Sequence, residues 1–233
     1  MTTGDDNARF SADLLAGLAD IGVEVVLVSP GSRNTPLALA ALAEPRIRAL
    51  SVRDERSAGF VALGIAKATG RPAAVVSTSG SAATHYLPAV AEANQSGTPL
   101  VVLTADRPRS LRGTGAPQTM DQVELYGSHA KYFLDVSHDP RASGRDAALA
   151  ALEDPPGAAH LNVAFDEPLI PTQAPAPPDP EQVAAERQPW EPTDILGSLA
   201  GRRVAIVASG RMRYGFADAV AEVARRLDAP ILA

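Results

Sequence analysis

Ser51-Val52-Arg53-Asp54-Glu55-Arg56-Ser57-Ala58-Gly59-Phe60 joins two periodicities without a pause. Upstream, Ile47 to Val52 reads as a short buried strand. Downstream, Ala58, Val61, Ala62, Ile65 and Ala66 recur at helical spacing. Asp54 suits the N-cap of that helix, and Glu55 falls in its first turn. A helix start favours negative charge, so a structural role alone would account for Glu55. The rest of the chain gives the carboxylate a second meaning.

The same strand, loop and helix grammar recurs on both sides. Asn7 to Ile21 carries Phe10, Leu14, Leu15 and Leu18 on one helical face, closed by Gly22. Val23 to Val28 is a continuous apolar run of the kind buried on both faces of a parallel sheet. Ser29 to Asn34 is its loop, and Thr35-Pro36 opens a short helix to Ala43. Gly70 closes the Glu55 helix. Further strands are expected at Ala73–Thr78, Leu100–Thr104, Lys131–Val136 and His160–Phe165. Helices are expected at about 84–94, 120–126 and 141–152, with a long Arg-, Gly- and Pro-rich loop over 106–118. Six strands alternating with helices predict an α/β fold with a doubly wound, six-stranded parallel sheet over residues 1–170. Pro175, Pro177, Pro178 and Pro180 mark an extended linker over 171–195. A strand at Arg203–Ala208, a helix at Ala217–Leu227 and a strand start at Pro230 then read as the incomplete beginning of a second α/β domain over 196–233.

Composition narrows the function. The hydrophobic fraction of 45% supports a real core, and the aromatic fraction of 4% makes it an Ala, Val and Leu core. A net charge of −6 offers no basic footprint for nucleic acid. No apolar run reaches membrane-spanning length. The absence of cysteine removes disulfides and thiolate metal sites and fits a cytoplasmic protein. His85, His129, His138 and His160 lack ligand spacing, so no metal site is expected within this chain.

In an open parallel sheet, ligand groups sit on loops beyond the carboxyl ends of the strands. Here those loops are Ser29–Asn34, Asp54–Glu55, Ser79–Ser81 and Asp106–Gln118. Neither the dinucleotide fingerprint G-x-G-x-x-G nor the P-loop G-x-x-x-x-G-K is present. Arg33, Arg53, Arg56, Arg107, Arg109 and Arg112 gather in these loops of an acidic protein. Such clustering points to recognition of carboxylate or phosphate by guanidinium forks.

Taken together and in order, Ser29-Pro-Gly-Ser-Arg, Asp54-Glu-Arg, Thr78-Ser-Gly, Thr104-Ala-Asp-Arg-Pro108 and Gly115-Ala-Pro-Gln118 resemble one family. It is the N-terminal pyrimidine-binding domain of the 2-succinyl-5-enolpyruvyl-6-hydroxy-3-cyclohexene-1-carboxylate synthases, thiamine-diphosphate enzymes of menaquinone biosynthesis. The resemblance covers about residues 8–170. It implies decarboxylation of 2-oxoglutarate and 1,4-addition of the succinyl unit to isochorismate, by a homo-oligomer that is a dimer or a dimer of dimers. It implies that Glu55 bonds the pyrimidine N1′ of thiamine diphosphate. By the same resemblance, Pro30, Gly31 and Thr78 line the pyrimidine pocket. Ser32, Arg33 and Arg107 bind substrate carboxylates, and Gln118 orients a substrate or intermediate. In this family Mg²⁺ or Mn²⁺ and the diphosphate are held by a G-D-G…N motif in a C-terminal domain. This sequence lacks that motif, so the chain is expected to be an N-terminal portion, inactive alone. On the residues by themselves, two other readings stay open. One is another thiamine-diphosphate carboligase or decarboxylase, acetolactate-synthase-like, which keeps Glu55 without needing the Arg loops. The other is a non-catalytic α/β module that dimerises or binds a carboxylate metabolite.

Overall fold

The computed structural model describes residues 3–181, 197–199, 201–208 and 215–232. The chain forms two compact units, residues 1–183 and 184–233. In the first, α1 (Thr3–Asp20), β1 (Val25–Val28), α2 (Thr35–Ala43), β2 (Arg48–Ser51), α3 (Glu55–Thr69) and β3 (Ala73–Ser77) follow one another. Then come α4 (Leu87–Ser96), β4 (Leu100–Asp106), β5 (Tyr132–Val136), α5 (Pro140–Leu152) and β6 (Ala158–Ala164). The six strands are all parallel, in the order β2-β1-β3-β4-β6-β5. This is the doubly wound α/β sheet expected from the sequence. From β1 the chain steps outward to β2 and then back across β1 to β3, which opens a crevice at the carboxyl ends of β1 and β3.

The strands' alternating residues feed two layers. Val26, Val76, Leu103 and Leu161 pack with Leu14, Leu18, Leu37 and Ala147 of α1, α2 and α5. Leu27, Val75, Val102 and Ala158 pack with Ala58, Ala62, Ala89 and Val90 of α3 and α4. The small residues let elements approach closely. A Cβ on Gly17 would lie 2.1 Å from the Arg141 carbonyl oxygen, and one on Gly144 would lie 2.3 Å from that of Leu14, so α1 and α5 touch backbone to backbone.

Three local expectations differ from the structure. β2 is an edge strand and only half-buried, because β1 is its single neighbour in the sheet. After β3 there is no open loop at 79–81. Gly80–Tyr86 is a 3-10 helix that runs into α4, whose first turn holds a proline. The helix expected over Met120–Tyr126 is absent. Glu124 sits at φ 50, a left-handed backbone that a helix cannot continue through, and turns lead into a short 3-10 segment at Gly127–His129.

The first unit also runs past residue 170, where composition alone places its end. The amide and hydroxyl of Thr172 both donate to Asp5 Oδ1 at 2.8 Å. Arg141 donates to the Asp179 carbonyl at 2.7 Å, and Arg141 and Arg145 both pair with Glu181. Those arginines, with Arg46, enclose the fully buried carboxylate of Asp20. Burial alone would raise the Asp20 carboxyl, but hydrogen bonds from Arg141, Arg46 and Arg145 bring it well below the usual range. The proline-rich stretch is therefore a strap bonded to α1 and α5 as far as residue 181. The remainder of the expected linker, 182–195, lies outside the described residues.

In the second unit, β7 (Ile206–Val207) and β8 (Ile231–Leu232) pair in parallel, with α6 (Phe216–Leu227) between them in sequence. A strand, a helix and a strand are the elements expected there. Residues 209–214, between β7 and α6, lie outside the described residues.

Candidate functional site

The crevice is built by the ends of β1, β3, β4 and β6. β1 delivers the turn Ser29-Pro30-Gly31-Ser32-Arg33-Asn34. Asn34 Nδ2 donates to the Ser29 carbonyl at 2.8 Å and closes the turn on itself. Pro30, Gly31 and Ser32 are exposed on its crest, whereas Arg33 and Asn34 are buried. Gly31 lies against Thr78, at the end of β3: a Cβ there would sit 2.3 Å from Thr78 Cβ. No other residue fits without displacing Thr78. Thr78 Oγ1 and Asn34 Oδ1 are both buried and make no hydrogen bond.

Arg33 does not reach outward as a free arm. Its Nη1 donates to the Phe165 carbonyl at 3.0 Å, and its Nη2 pairs with Glu167 at 2.9 Å. Arg107, just past β4, is fixed in the same manner. Nη1 donates to Ser79 Oγ at 2.9 Å and Nη2 to the Pro117 carbonyl at 3.1 Å. Burial lowers the Arg107 pKa and the neighbouring Arg33 charge lowers it further, against the opposite pull of Glu167 and Asp106. The Arg33 and Arg107 charges thus repel one another at one end of the sheet, and an anion bound there would relieve that repulsion. Gln118, exposed at φ 56, donates from Nε2 to the Ser79 carbonyl at 3.0 Å and accepts from Ser79 Oγ at its own carbonyl at 3.1 Å. Ser79 therefore ties Arg107 and Gln118 together.

Glu55 opens α3. Asp54 is the cap, its carboxylate accepting from the Ser57 amide at 2.8 Å. Glu55 is half-buried and makes no hydrogen bond or ion pair with any described residue. Its charge is felt by Tyr86, whose phenol is pushed up mainly by burial, with a smaller rise from Glu55. Tyr86 donates to the Val76 carbonyl at 3.0 Å, and Ser29 Oγ lies 3.3 Å from the phenol oxygen. Gly59, one turn further along α3, lies close to the Tyr86 ring, so Tyr86 and Ser29 connect the start of α3 to the β1 turn.

The six loop arginines divide. Arg33 and Arg107 line the crevice. Arg112 pairs with Asp106 and Asp135, and Arg109 pairs with Asp135, so these two brace the long loop rather than await an anion. Arg53 and Arg56 are exposed.

Sequence reasoning passed over a polar ladder under the crevice. Thr104, His160 and Asn162 occupy the strand row that elsewhere packs on α3 and α4. Thr104 Oγ1 donates to Asn162 Oδ1 at 2.8 Å, so it accepts from His160 Nε2 at 2.8 Å, which assigns the Nε2–H tautomer. Gln122 Nε2 donates to Asn162 Oδ1 at 2.9 Å, and Gln122 Oε1 accepts from the Gly80 amide at 2.8 Å. The signal was present as His160 and Asn162 two apart in an otherwise apolar strand, hence on one face.

His160 yields a pH prediction. Burial lowers its pKa to about 3, with Asp135 opposing. The unfolded chain's imidazole titrates near ~6.5. The neutral ring's contribution is thus complete above that value and is lost as the pH falls toward about 3, by about 1.4 kcal/mol per pH unit. Denaturant midpoints of the wild type should fall between pH 6.5 and 4 more steeply than those of His160→Gln. Parallel profiles would contradict the assignment.

A profile described as "Thiamine pyrophosphate enzyme, N-terminal TPP binding domain" matches residues 8–125. The chain belongs to this thiamine pyrophosphate enzyme family. Similar curated proteins carry the name 2-succinyl-5-enolpyruvyl-6-hydroxy-3-cyclohexene-1-carboxylate synthase. One from Geobacillus kaustophilus is 46% identical over 96% of this chain and 42% of its own length. One from Thermobifida fusca is 50% identical over 68% of this chain and 30% of its own. The chain therefore spans less than half the length of these relatives, 42% for the Geobacillus protein.

The edge suits the pyrimidine end of a thiamine pyrophosphate enzyme's cofactor. The Gly31–Thr78 contact leaves a backbone wall without side chain. Thr78 Oγ1 and Asn34 Oδ1 are unpartnered polar atoms, and the Glu55 carboxylate has no protein donor. Among the described residues no group of three His, Asp or Glu is placed to hold a metal ion, and no helix is long and apolar enough to cross a membrane.

Proposed function

We propose that this chain supplies the pyrimidine-binding part of a 2-succinyl-5-enolpyruvyl-6-hydroxy-3-cyclohexene-1-carboxylate synthase acting on 2-oxoglutarate and isochorismate. The observation that carries the reading is the half-buried Glu55 carboxylate, which has no protein donor and whose charge is felt by Tyr86, the residue beside Ser29 of the turn that carries Arg33. When bound, thiamine diphosphate supplies the nucleophilic carbon and the electron sink for decarboxylating a 2-oxo acid. Glu55 would share a proton with the pyrimidine N1′. Pro30, Gly31 and Thr78 would form the wall against the ring. Arg33 and Arg107 would take substrate carboxylates, with Glu167 giving way to the incoming anion at Arg33. Ser32, exposed beside Arg33, would add a hydroxyl donor, and Gln118 would orient the substrate through its free Oε1.

In the whole protein, Mg²⁺ or Mn²⁺ would be held by a further domain. The exposed apolar residues Phe60, Val61 and Leu87 on α3 and α4 would pack against other domains of a dimer or dimer of dimers. The test uses the full-length protein with thiamine diphosphate and Mg²⁺, followed by product NMR. CO₂ release from 2-oxoglutarate is expected to match isochorismate consumption one for one. Condensation of pyruvate with no use of isochorismate would overturn the substrate assignment. A strictly monomeric, fully active protein in sedimentation would overturn the assembly.

A further inference from the structure

We infer that Gln122 is a positioning residue for substrate recognition: from inside the core it fixes the turn on which Arg107 and Gln118 are mounted. The inference rests on the functional reading above for what those two residues bind, but not for the geometry.

Gln122 is 1% exposed, yet it lies in a segment with no regular helix or strand of its own. Its side chain makes three bonds to three different parts of the fold. Nε2 donates to Asn162 Oδ1 on β6 at 2.9 Å and to the Ala105 carbonyl on β4 at 3.2 Å. Oε1 accepts from the Gly80 amide at 2.8 Å. Two bonds to the rigid sheet thus aim the third at the turn after β3. Gly80 sits at φ 83, and a Cβ there would lie 3.0 Å from Gln118 Cγ, so the bare glycine lets the turn lie close to Gln118. The adjoining Ser79 holds Arg107 through Oγ and Gln118 through both Oγ and its carbonyl.

Every bond in this chain is internal, and its far end is two groups that face the crevice. Remove the Gln122 amide and the Gly80 N–H becomes a buried donor without an acceptor. The turn then gains by swinging toward water, and Ser79 moves with it. A residue acting this way alters how substrate is held. It leaves untouched Glu55, which makes no hydrogen bond to any member of this series.

The experiment compares Gln122→Met, Gln122→Glu and Ser79→Ala in the full-length protein, by steady-state kinetics, cofactor C2–H exchange and hydrogen–deuterium exchange. Gln122→Met keeps the length and loses the bonds. It is expected to raise KM for a substrate by about tenfold or more. Its C2–H exchange should stay at the wild-type rate. Amide exchange should quicken in 78–82 and 115–120 and remain slow in β4. In Gln122→Glu the carboxyl is buried against Asn162, which already serves the carboxylates of Asp106 and Asp135, so burial and neighbouring negative charge favour its protonated form. It then retains an acceptor for Gly80 and a donor for the sheet, and should restore both readouts. Ser79→Ala should reproduce the KM change. Three results would overturn the inference. One is unchanged KM and loop protection in Gln122→Met. Another is equal loss of protection in β4 and the loops. The third is failure of Gln122→Met to fold combined with wild-type KM in Ser79→Ala. A wild type that turns over neither substrate refutes the functional reading, while the amide-exchange comparison still decides the role of Gln122.

Discussion

Glu55→Gln in the full-length protein is expected to slow exchange of the cofactor's C2 proton by about 10²–10⁴-fold, the usual worth of acid–base assistance, with the fold intact. Gln has nearly the shape of Glu, so packing at the start of α3 survives. The cap survives too, because Asp54 and not Glu55 accepts from the Ser57 amide. What disappears is a group able to give and take a proton at N1′; an amide bonds there but does not exchange. A purely structural Glu55 would behave otherwise. It would contribute about 0.3–1 kcal/mol at the helix start, and Gln would affect stability slightly and chemistry not at all. The structure sharpens this contrast, since Glu55 has no partner whose loss could propagate. Quenched proton NMR of the C2 position separates the cases, and wild-type exchange in a stably folded variant would reduce the residue to a helix-end charge.

The second large effect is at the paired guanidiniums. Arg33→Ala or Arg107→Ala should lower kcat/KM for an anionic substrate by roughly 30- to 4000-fold, the equivalent of ~2–5 kcal/mol for a desolvated charge-assisted fork. Cofactor C2–H exchange should be spared. Arg33 has the further consequence of freeing the Phe165 carbonyl, so its variant should also lose some stability. Arg112→Ala is the informative contrast. Arg112 neutralises Asp106 and Asp135, so its loss should destabilise the loop first and alter substrate use only through it. Unchanged kinetics in both Arg33→Ala and Arg107→Ala would remove these residues from the site.

Much of the fold was legible because parallel sheets write themselves into sequence. Val25–Val28, Ala73–Ser77 and Leu100–Asp106 are apolar runs, and the turn residues Gly70 and Gly97 take the left-handed backbone at their helix ends. Edge position was not legible, because β2 differs from an interior strand by what lies beside it, which no local pattern records. The segment 119–130 misled for a related reason. Gln122, Leu125 and Tyr126 have helical spacing, but Gln122 is bonded to two strands and Tyr126 donates to the Ala83 carbonyl at 2.7 Å, anchors that tertiary structure imposes. At the site, the loop positions could be read from strand ends. Which arginines were already occupied could not, since Asp135, the partner of Arg109 and Arg112, comes from a strand more than twenty residues away.

The strap formed by residues 171–181 bears on how such proteins can be recombined. Its prolines give it the look of a spacer that could be exchanged freely between relatives. Yet Asp5, Arg141 and Arg145 bond to it, and both arginines also neutralise the buried Asp20. A chimera joined at the first of these prolines would bring a foreign strap onto α1 and α5 and ask it to match their charges. A junction placed after Glu181 keeps these bonds within one parent, so heredity of this domain is better measured by its hydrogen bonds than by its composition.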